Sequence, residues 1–242
     1  MSTFNPLQQK ALELNSELKG QSVEVVLKRL LEEFDHRIAL SSSLSIEDQL
    51  LTDALVKINP QVRIFTLDTG RLFPETYDLI EKTNTKYGIK LDVYFPDYHE
   101  VQQLIKTDGI NLFYKGIEQR KACCQIRKLN PLRRAFEGLD GWICGLRKEQ
   151  SVTRNQIELI EWDANNQLIK VNPLIDYTEE AVWEYIRTHQ VPFNKLQLQG
   201  FPSIGCQPCT RAVQPGEDIR SGRWWWENPE HKECGLHRPG TL

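Results

Sequence analysis

The stretch Arg37-Ile38-Ala39-Leu40-Ser41-Ser42-Ser43-Leu44-Ser45-Ile46-Glu47-Asp48 decides the fold. Arg37 to Leu40 reads as an apolar strand that runs into a serine-rich turn, and helical periodicity follows from Ile46 to Ile58. Working outward, Val62 to Leu67 is a second apolar strand, closed by Asp68-Thr69-Gly70. Pro74 opens a helix to Tyr87, at an early position where its missing N–H costs little. Ile89 to Phe95 alternates as a third strand, and a helix follows near residues 98–107. Cys123 to Phe136 has helical spacing with Pro131 as a kink. Gly141 to Leu146 is a fourth strand, and Thr178 caps a late helix to His189. Upstream, residues 6–19 and 22–34 have helical spacing; the second aligns Val23, Val26, Leu27, Leu30, Leu31 and Phe34.

Strands alternating with helices predict an α/β fold, a mostly parallel central sheet with flanking helices. Ligands of such sheets bind beyond the carboxyl ends of the strands. That edge would gather the serine turn (Ser42, Ser43, Ser45), the turn Asp68, Thr69 and Gly70, and the turn from Gly145 to Arg147 as candidate substrate-binding residues. Hydroxyls beside a helix N-terminus suit a phosphate or sulfate. The Walker spacing is absent. Serines also cap helices for structural reasons alone, and Glu47 and Asp48 in the first turn favour the helix dipole.

From about Pro192 the composition shifts to Pro, Gly, Trp and charge. Residues 1–199 therefore read as one α/β domain with a helical lead-in. Residues 200–242 read as an irregular C-terminal segment, in which the run Trp224-Trp225-Trp226 implies that part of it docks.

The chain has 242 residues, 40% apolar and 26% charged, with a formal net charge of −3. That balance argues against bulk binding to nucleic acid or a membrane surface. Residues 119–154 differ, with nine Lys/Arg against three acids, a stretch that reads either as a small-anion site or as a solvated helix face. No leader pattern is visible in Met1–Gly20 and no apolar run approaches a membrane span. Six cysteines in such a chain imply a reducing compartment, with the cytoplasm expected, where paired cysteines more often hold metal than form disulfides.

The cysteines carry the chemistry. Cys123-Cys124 and Cys206-Gln207-Pro208-Cys209 together supply the four thiolates of an iron–sulfur cluster or a tetrahedral zinc site. Adjacent helical residues point about 100° apart, so the first pair favours a wide target at a helix start; structural zinc remains the alternative. Lys128, four residues after Cys124, would place a cation beside it. Cys144 in its apolar strand reads as a small core residue. Cys234 stands apart in Glu233-Cys234-Gly235-Leu236-His237, placed like a reactive nucleophile, with His237, Arg220 and Arg223 as candidates to favour its thiolate.

This pattern resembles the assimilatory adenylyl-sulfate reductases, relatives of the phosphoadenylyl-sulfate reductases. The motifs that carry the likeness are the serine turn with Ile46-Glu47-Asp48, Leu67-Asp68-Thr69-Gly70-Arg71-Leu72-Phe73-Pro74-Glu75-Thr76-Tyr77, and Cys123-Cys124-Gln125-Ile126-Arg127-Lys128. Gly145-Leu146-Arg147-Lys148-Glu149-Gln150-Ser151, Thr153-Arg154, Cys206-x-x-Cys209 and Glu233-Cys234-Gly235-Leu236-His237 complete the ordered set. The resemblance implies a fold like the adenine nucleotide alpha hydrolase group, related to the PP-loop enzymes. It implies reduction of adenylyl sulfate to sulfite and AMP in sulfate assimilation. Cys234 would be the nucleophile that forms a thiosulfonate, and His237 its neighbour. Cys123, Cys124, Cys206 and Cys209 would hold one 4Fe–4S cluster, Lys128 would link cluster and substrate, and Arg220 and Arg223 would lie near the phosphosulfate. Thioredoxin or glutaredoxin would be the external reductant; a homo-oligomer is left open. Relatives often carry glycine near the position of Ser45, and serine is less free than glycine where a turn needs positive φ. The rival readings are a phosphoadenylyl-sulfate reductase, a tRNA sulfur-inserting enzyme, whose Ser-Gly-Gly-x-Asp-Ser loop is missing, and a zinc-stabilised nucleotide-binding module without catalysis.

Overall fold

The computed structural model describes residues 5–150 and 157–228. Two helices, α1 (Pro6–Leu18) and α2 (Val23–Phe34), lead into β1 (Ile38–Ser41). Then follow α3 (Ile46–Ile58), β2 (Arg63–Leu67), α4 (Pro74–Tyr87), β3 (Asp92–Tyr94) and α5 (Tyr98–Asp108). After them come α6 (Ile117–Cys124), α7 (Asn130–Phe136), β4 (Gly141–Ile143), β5 (Ile160–Asp163), β6 (Leu168–Val171) and α8 (Glu179–Thr188).

The sheet runs in the order β3-β2-β1-β4-β6-β5, parallel throughout except for β5, which pairs antiparallel with β6 at the edge. The mostly parallel sheet with flanking helices is as expected. Strands β5 and β6 were not anticipated. They are four residues each, and Lys170 interrupts the apolar run while its ammonium pairs with Glu161 across the strands at 2.7 Å. So short and mixed a pattern carries little periodicity.

Alternation along each strand sends successive side chains into two cores. Ile38, Leu40, Ile64, Ile143, Ile169 and Val171 join the core shared with α1, α2 and α3, whereas Ala39, Phe65, Trp142 and Leu168 meet Leu132 and Phe136 of α7. Helix α3 is buried along almost its whole length, polar residues included, and most of its polar side chains find partners; Gln49 donates to Thr83 Oγ1 and to Pro192 O, both at 2.8 Å. Asp53, for example, accepts from Tyr87 at 2.9 Å, Tyr185 at 2.8 Å and Lys57 at 2.6 Å. The connections leave β1 and β4 in opposite directions, which makes the gap between their carboxyl ends the switch point of the sheet.

Two local expectations are corrected. The double cysteine does not start a helix. Helix α6 begins at Ile117, and Cys123 and Cys124 close it, running straight into a π-helical turn, Gln125–Leu129, and then α7. Pro131 has no N–H to return to the preceding turn, so the wider turn takes up the mismatch and Asn130 N–H bonds to Gln125 O. The second correction concerns Ser45, which needs no positive φ. It sits at φ −68° and caps α3 through Asp48 N–H, while Leu44 takes the left-handed conformation at φ 62°. A buried leucine held there is strained, at a cost on the order of 1–3 kcal/mol.

Candidate active site

A cavity of about 230 Å³ opens at the switch point. Its floor is the serine turn after β1, the end of β2 with Thr69, and Cys144 to Arg147 after β4; the loop from Pro202 to Cys206 and residues Ile219 to Trp224 wall it in. Every serine of the turn lines it, and three of them make local hydrogen bonds. Ser42 Oγ accepts from Leu44 N at 3.1 Å, Ser43 donates to Asp48 Oδ2 at 2.6 Å, and Ser45 caps α3. Glu47 and Asp48, read from sequence only as dipole partners, hold the site together. Asp48 Oδ1 accepts from Gly145 N at 3.0 Å, and its other oxygen accepts from Ser43 N at 2.7 Å. A Cβ on Gly145 would lie 2.6 Å from that Oδ1, which is why glycine stands there. Burial pushes the Asp48 carboxyl up to about 6, in opposition to those hydrogen bonds.

Arg147 is in the cavity wall, almost wholly buried, and ringed by carboxylates. Its Nε meets Glu47 Oε1 at 2.9 Å, Nη1 meets Glu149 Oε2 at 3.1 Å and Nη2 lies 3.8 Å from Glu179 Oε2. Gln150 donates to the same Glu47 oxygen at 2.9 Å. The acidic partners were invisible in the sequence because Glu47 and Glu179 come from helices 132 residues apart.

Beside this cavity lies a smaller one, lined by all four paired cysteines together with Arg71, Phe113, Arg120, Arg127, Lys128 and Trp224. The Cys206 loop reaches it through backbone ties: Gln207 N–H to Arg71 O at 2.8 Å, and Trp224 N–H to Cys209 O at 3.1 Å. Thr69 Oγ1 sits 3.2 Å from Cys206 Sγ, and Arg127 donates to Thr69 O at 2.6 Å. Gly70, at φ +70°, lets Arg127 close over the turn, while Asp68 accepts from Gly70 N and from Tyr77. Burial raises the Cys123 thiol and pushes Cys209 up to about 12; for Cys209 the Cys206 charge adds to the effect. Among the described residues no three His, Cys, Asp or Glu side chains close on one point as around a single ion.

Lys128, Cys206 and Trp224 border both cavities. Arg220 and Arg223 line the larger one, and Arg223 and Arg120 each lie over the Trp224 ring, at 4.9 Å and 4.8 Å. Trp224 is buried and Trp226 packs edge-on against Tyr114 at 4.6 Å, so the docking expected of the tryptophan run holds for its first and third members, whereas Trp225 stays partly exposed. The basic stretch is not one anion site. Arg120 is paired with Glu227, Arg127 with the Thr69 carbonyl and Arg134 with the Phe95 carbonyl; of its described members only Lys128 and Arg147 line the large cavity. Cys144 lines that cavity too, and its thiol donates to Asn172 Oδ1 at 3.1 Å. Cys234 and His237 lie outside the described residues, as do Ser151, Thr153 and Arg154. No helix among the described residues is long and apolar enough to cross a membrane.

A mainly parallel sheet with its cavity at the switch point defines the class, the adenine nucleotide alpha hydrolase-like fold. The fold recurs in the FMN adenylyltransferase of Candida glabrata, at a TM-score of 0.54 and 14% identity, over 94% of this chain and 85% of that one. The phosphoadenosine phosphosulfate reductase domain model matches residues 37–212, and the chain belongs to that family, enzymes that act on sulfur groups. It is 50% identical to the adenosine 5'-phosphosulfate reductase of Allochromatium vinosum over 88% of this chain and 83% of that protein. With the enzyme of the same name from Burkholderia cepacia it shares 44% identity over 90% and 87%. The crystal structure of the phosphoadenylyl-sulfate reductase of Candida auris, a phosphate complex, superposes with a TM-score of 0.74 at 26% identity, covering 88% of this chain and 100% of that one.

Proposed function

We propose that this enzyme reduces adenylyl sulfate to sulfite and AMP, at the expense of an external dithiol. The observation that carries the reading is the shared wall. A cavity at the nucleotide edge of the sheet and a cavity lined by four thiols meet at Lys128, Cys206 and Trp224. The names of the bacterial relatives support the substrate.

Cys123, Cys124, Cys206 and Cys209 would hold a 4Fe–4S cluster. Thiolate is the ligand of such clusters, and all four cysteines line the one smaller cavity. Arg71, Arg127 and Lys128 beside them supply positive charge for a four-thiolate set. When bound, the cluster supplies a brace and an electrostatic partner for Lys128; the electrons belong to the dithiol.

Adenylyl sulfate would lie with its nucleotide along the strand ends and its phosphosulfate against Lys128, Arg220 and Arg223. The Cys234 thiolate, with His237 beside it in sequence, attacks the sulfur of the sulfate group. An S–S bond forms as the S–O bond to the phosphate breaks, and AMP departs with the bridging oxygen and its electron pair. Bringing a thiolate to a doubly anionic group is opposed by charge, and the three cations offset that repulsion and stabilise the leaving phosphate. A thiol of thioredoxin or glutaredoxin then attacks the Cys234 sulfur of the S-sulfocysteine and expels sulfite. Its second thiol closes the disulfide and frees Cys234, so the dithiol provides both electrons. Work with free thiols suits a reducing compartment such as the cytoplasm.

Anaerobic iron and acid-labile sulfide analysis, run with a sulfite-release assay on adenylyl sulfate and its 3′-phosphorylated form, tests the reading. Brown protein that prefers adenylyl sulfate supports it. Colourless, zinc-containing protein without sulfite release would sink it.

A further inference from the structure

The large cavity is electrically lopsided. At its thiol end it carries Lys128, Arg220 and Arg223, whereas at the switch point its one described cation, Arg147, is shared among carboxylates. Glu47 and Glu179 face the cavity with Arg147; Glu149 completes the ring, and Asp48 adds a fourth carboxyl held by Ser43 and Gly145. Among the described residues one guanidinium there faces three carboxylates, so their balance is negative. Glu149 and Glu179 are half-exposed, at 55% and 43% of their side-chain surface, and reach past Arg147 toward solvent.

We infer that the carboxylates gathered on Arg147 make this site select a nucleotide whose ribose 3′-hydroxyl carries no phosphate. The inference rests on the nucleotide reading above. A phosphosulfate held at the thiol end leaves the nucleoside to run toward Gly145 and Arg147, which line the same cavity at the switch point. A ribose lying there presents its hydroxyls to the Arg147 ring. Hydroxyls can donate to carboxylates. A phosphate brings up to two further negative charges and no donor, to a partly buried place where like charges repel strongly. Discrimination is then a penalty against the wrong ligand and needs no added contact to the right one.

Electrostatic exclusion makes predictions that a steric wall does not. Competition binding on the full chain with AMP and adenosine 3′,5′-bisphosphate should show AMP favoured by about tenfold or more at low salt. The isosteric double variant Glu149→Gln with Glu179→Gln should narrow that ratio by about tenfold. Raising the ionic strength should narrow it in the parent protein and change little in the variant. A ratio that survives both the substitution and the salt would overturn the inference and leave the nucleotide site standing. If neither nucleotide binds, the functional reading fails and the inference with it. Circular dichroism and the visible spectrum of the variant confirm that its fold and its thiol centre are intact.

Discussion

Arg120 and Glu227, 107 residues apart in the chain, form a two-pronged ion pair with Nε–Oε1 at 3.0 Å and Nη2–Oε2 at 2.8 Å, both side chains 3% exposed. The pair fastens the Trp224–Glu227 turn to the helix that carries Cys123 and Cys124, and the Arg120 guanidinium also lies over the Trp224 ring. Taking two charges out of water is costly, so removal of one is worse than removal of both. Glu227→Ala should therefore cost about 3–5 kcal/mol in denaturant unfolding, and Arg120→Met combined with Glu227→Leu should recover most of it. A loss below about 1 kcal/mol for the single variant would mean that the pair is solvated.

Lys128 borders both cavities and is not a cluster ligand in the proposed scheme. Replacing it with alanine should lower the rate of sulfite release by about a hundredfold, the scale seen when one charge-stabilising donor is lost. Iron content should stay near that of the parent. Loss of iron in step with activity would transfer Lys128 from the reaction to the assembly of the thiol site.

Cys234→Ser should abolish turnover while AMP still binds, because serine keeps the size of the side chain and removes only the attacking sulfur. Mass spectrometry of the parent protein mixed with adenylyl sulfate, before reductant is added, should find one SO₃ group on the peptide that contains Cys234. An unmodified peptide would remove the covalent intermediate.

Asp48 gives the fold a pH signature. Burial holds its carboxyl at about 6, above the ordinary value of about 4 that it takes when unfolded. The folded chain then binds this proton more tightly than the unfolded chain. Between about pH 4 and pH 6 the Asp48 contribution to stability falls as pH rises, and above that window it is flat. Measured against Asp48→Asn, the parent should lose about 2 kcal/mol of relative stability from pH 4 to pH 6.5. A difference that does not vary with pH would place Asp48 in contact with water.

The sheet and its ligand edge were legible in the sequence because both follow from local rules. Ile38-Ala39-Leu40, Val62 to Leu67 and Gly141 to Ile143 are apolar on both faces, and strands of that kind alternating with helices leave few arrangements. The cysteine spacing likewise pointed to one shared site. Strands β5 and β6 escaped because Lys170 is buried by a partner, Glu161, whose position no periodicity announces. The basic stretch allowed two readings for a related reason. A charge count cannot tell an arginine that meets a ligand from one that satisfies a backbone carbonyl, as Arg127 does at Thr69.

By itself the sequence determined strands β1 to β4, most of the helices around them, which turns share an edge, and which thiols belong together; these depend on residues within a few positions of one another. Only the tertiary structure decided that Thr69 meets Cys206, that the double cysteine runs into a π turn, and that Arg147 sits among three acids. Each of those depends on where separate segments come to rest once the sheet closes. The energy of a charge or a thiol is set by the burial and the neighbours it finds there, and these are properties of the packed chain and not of its local pattern.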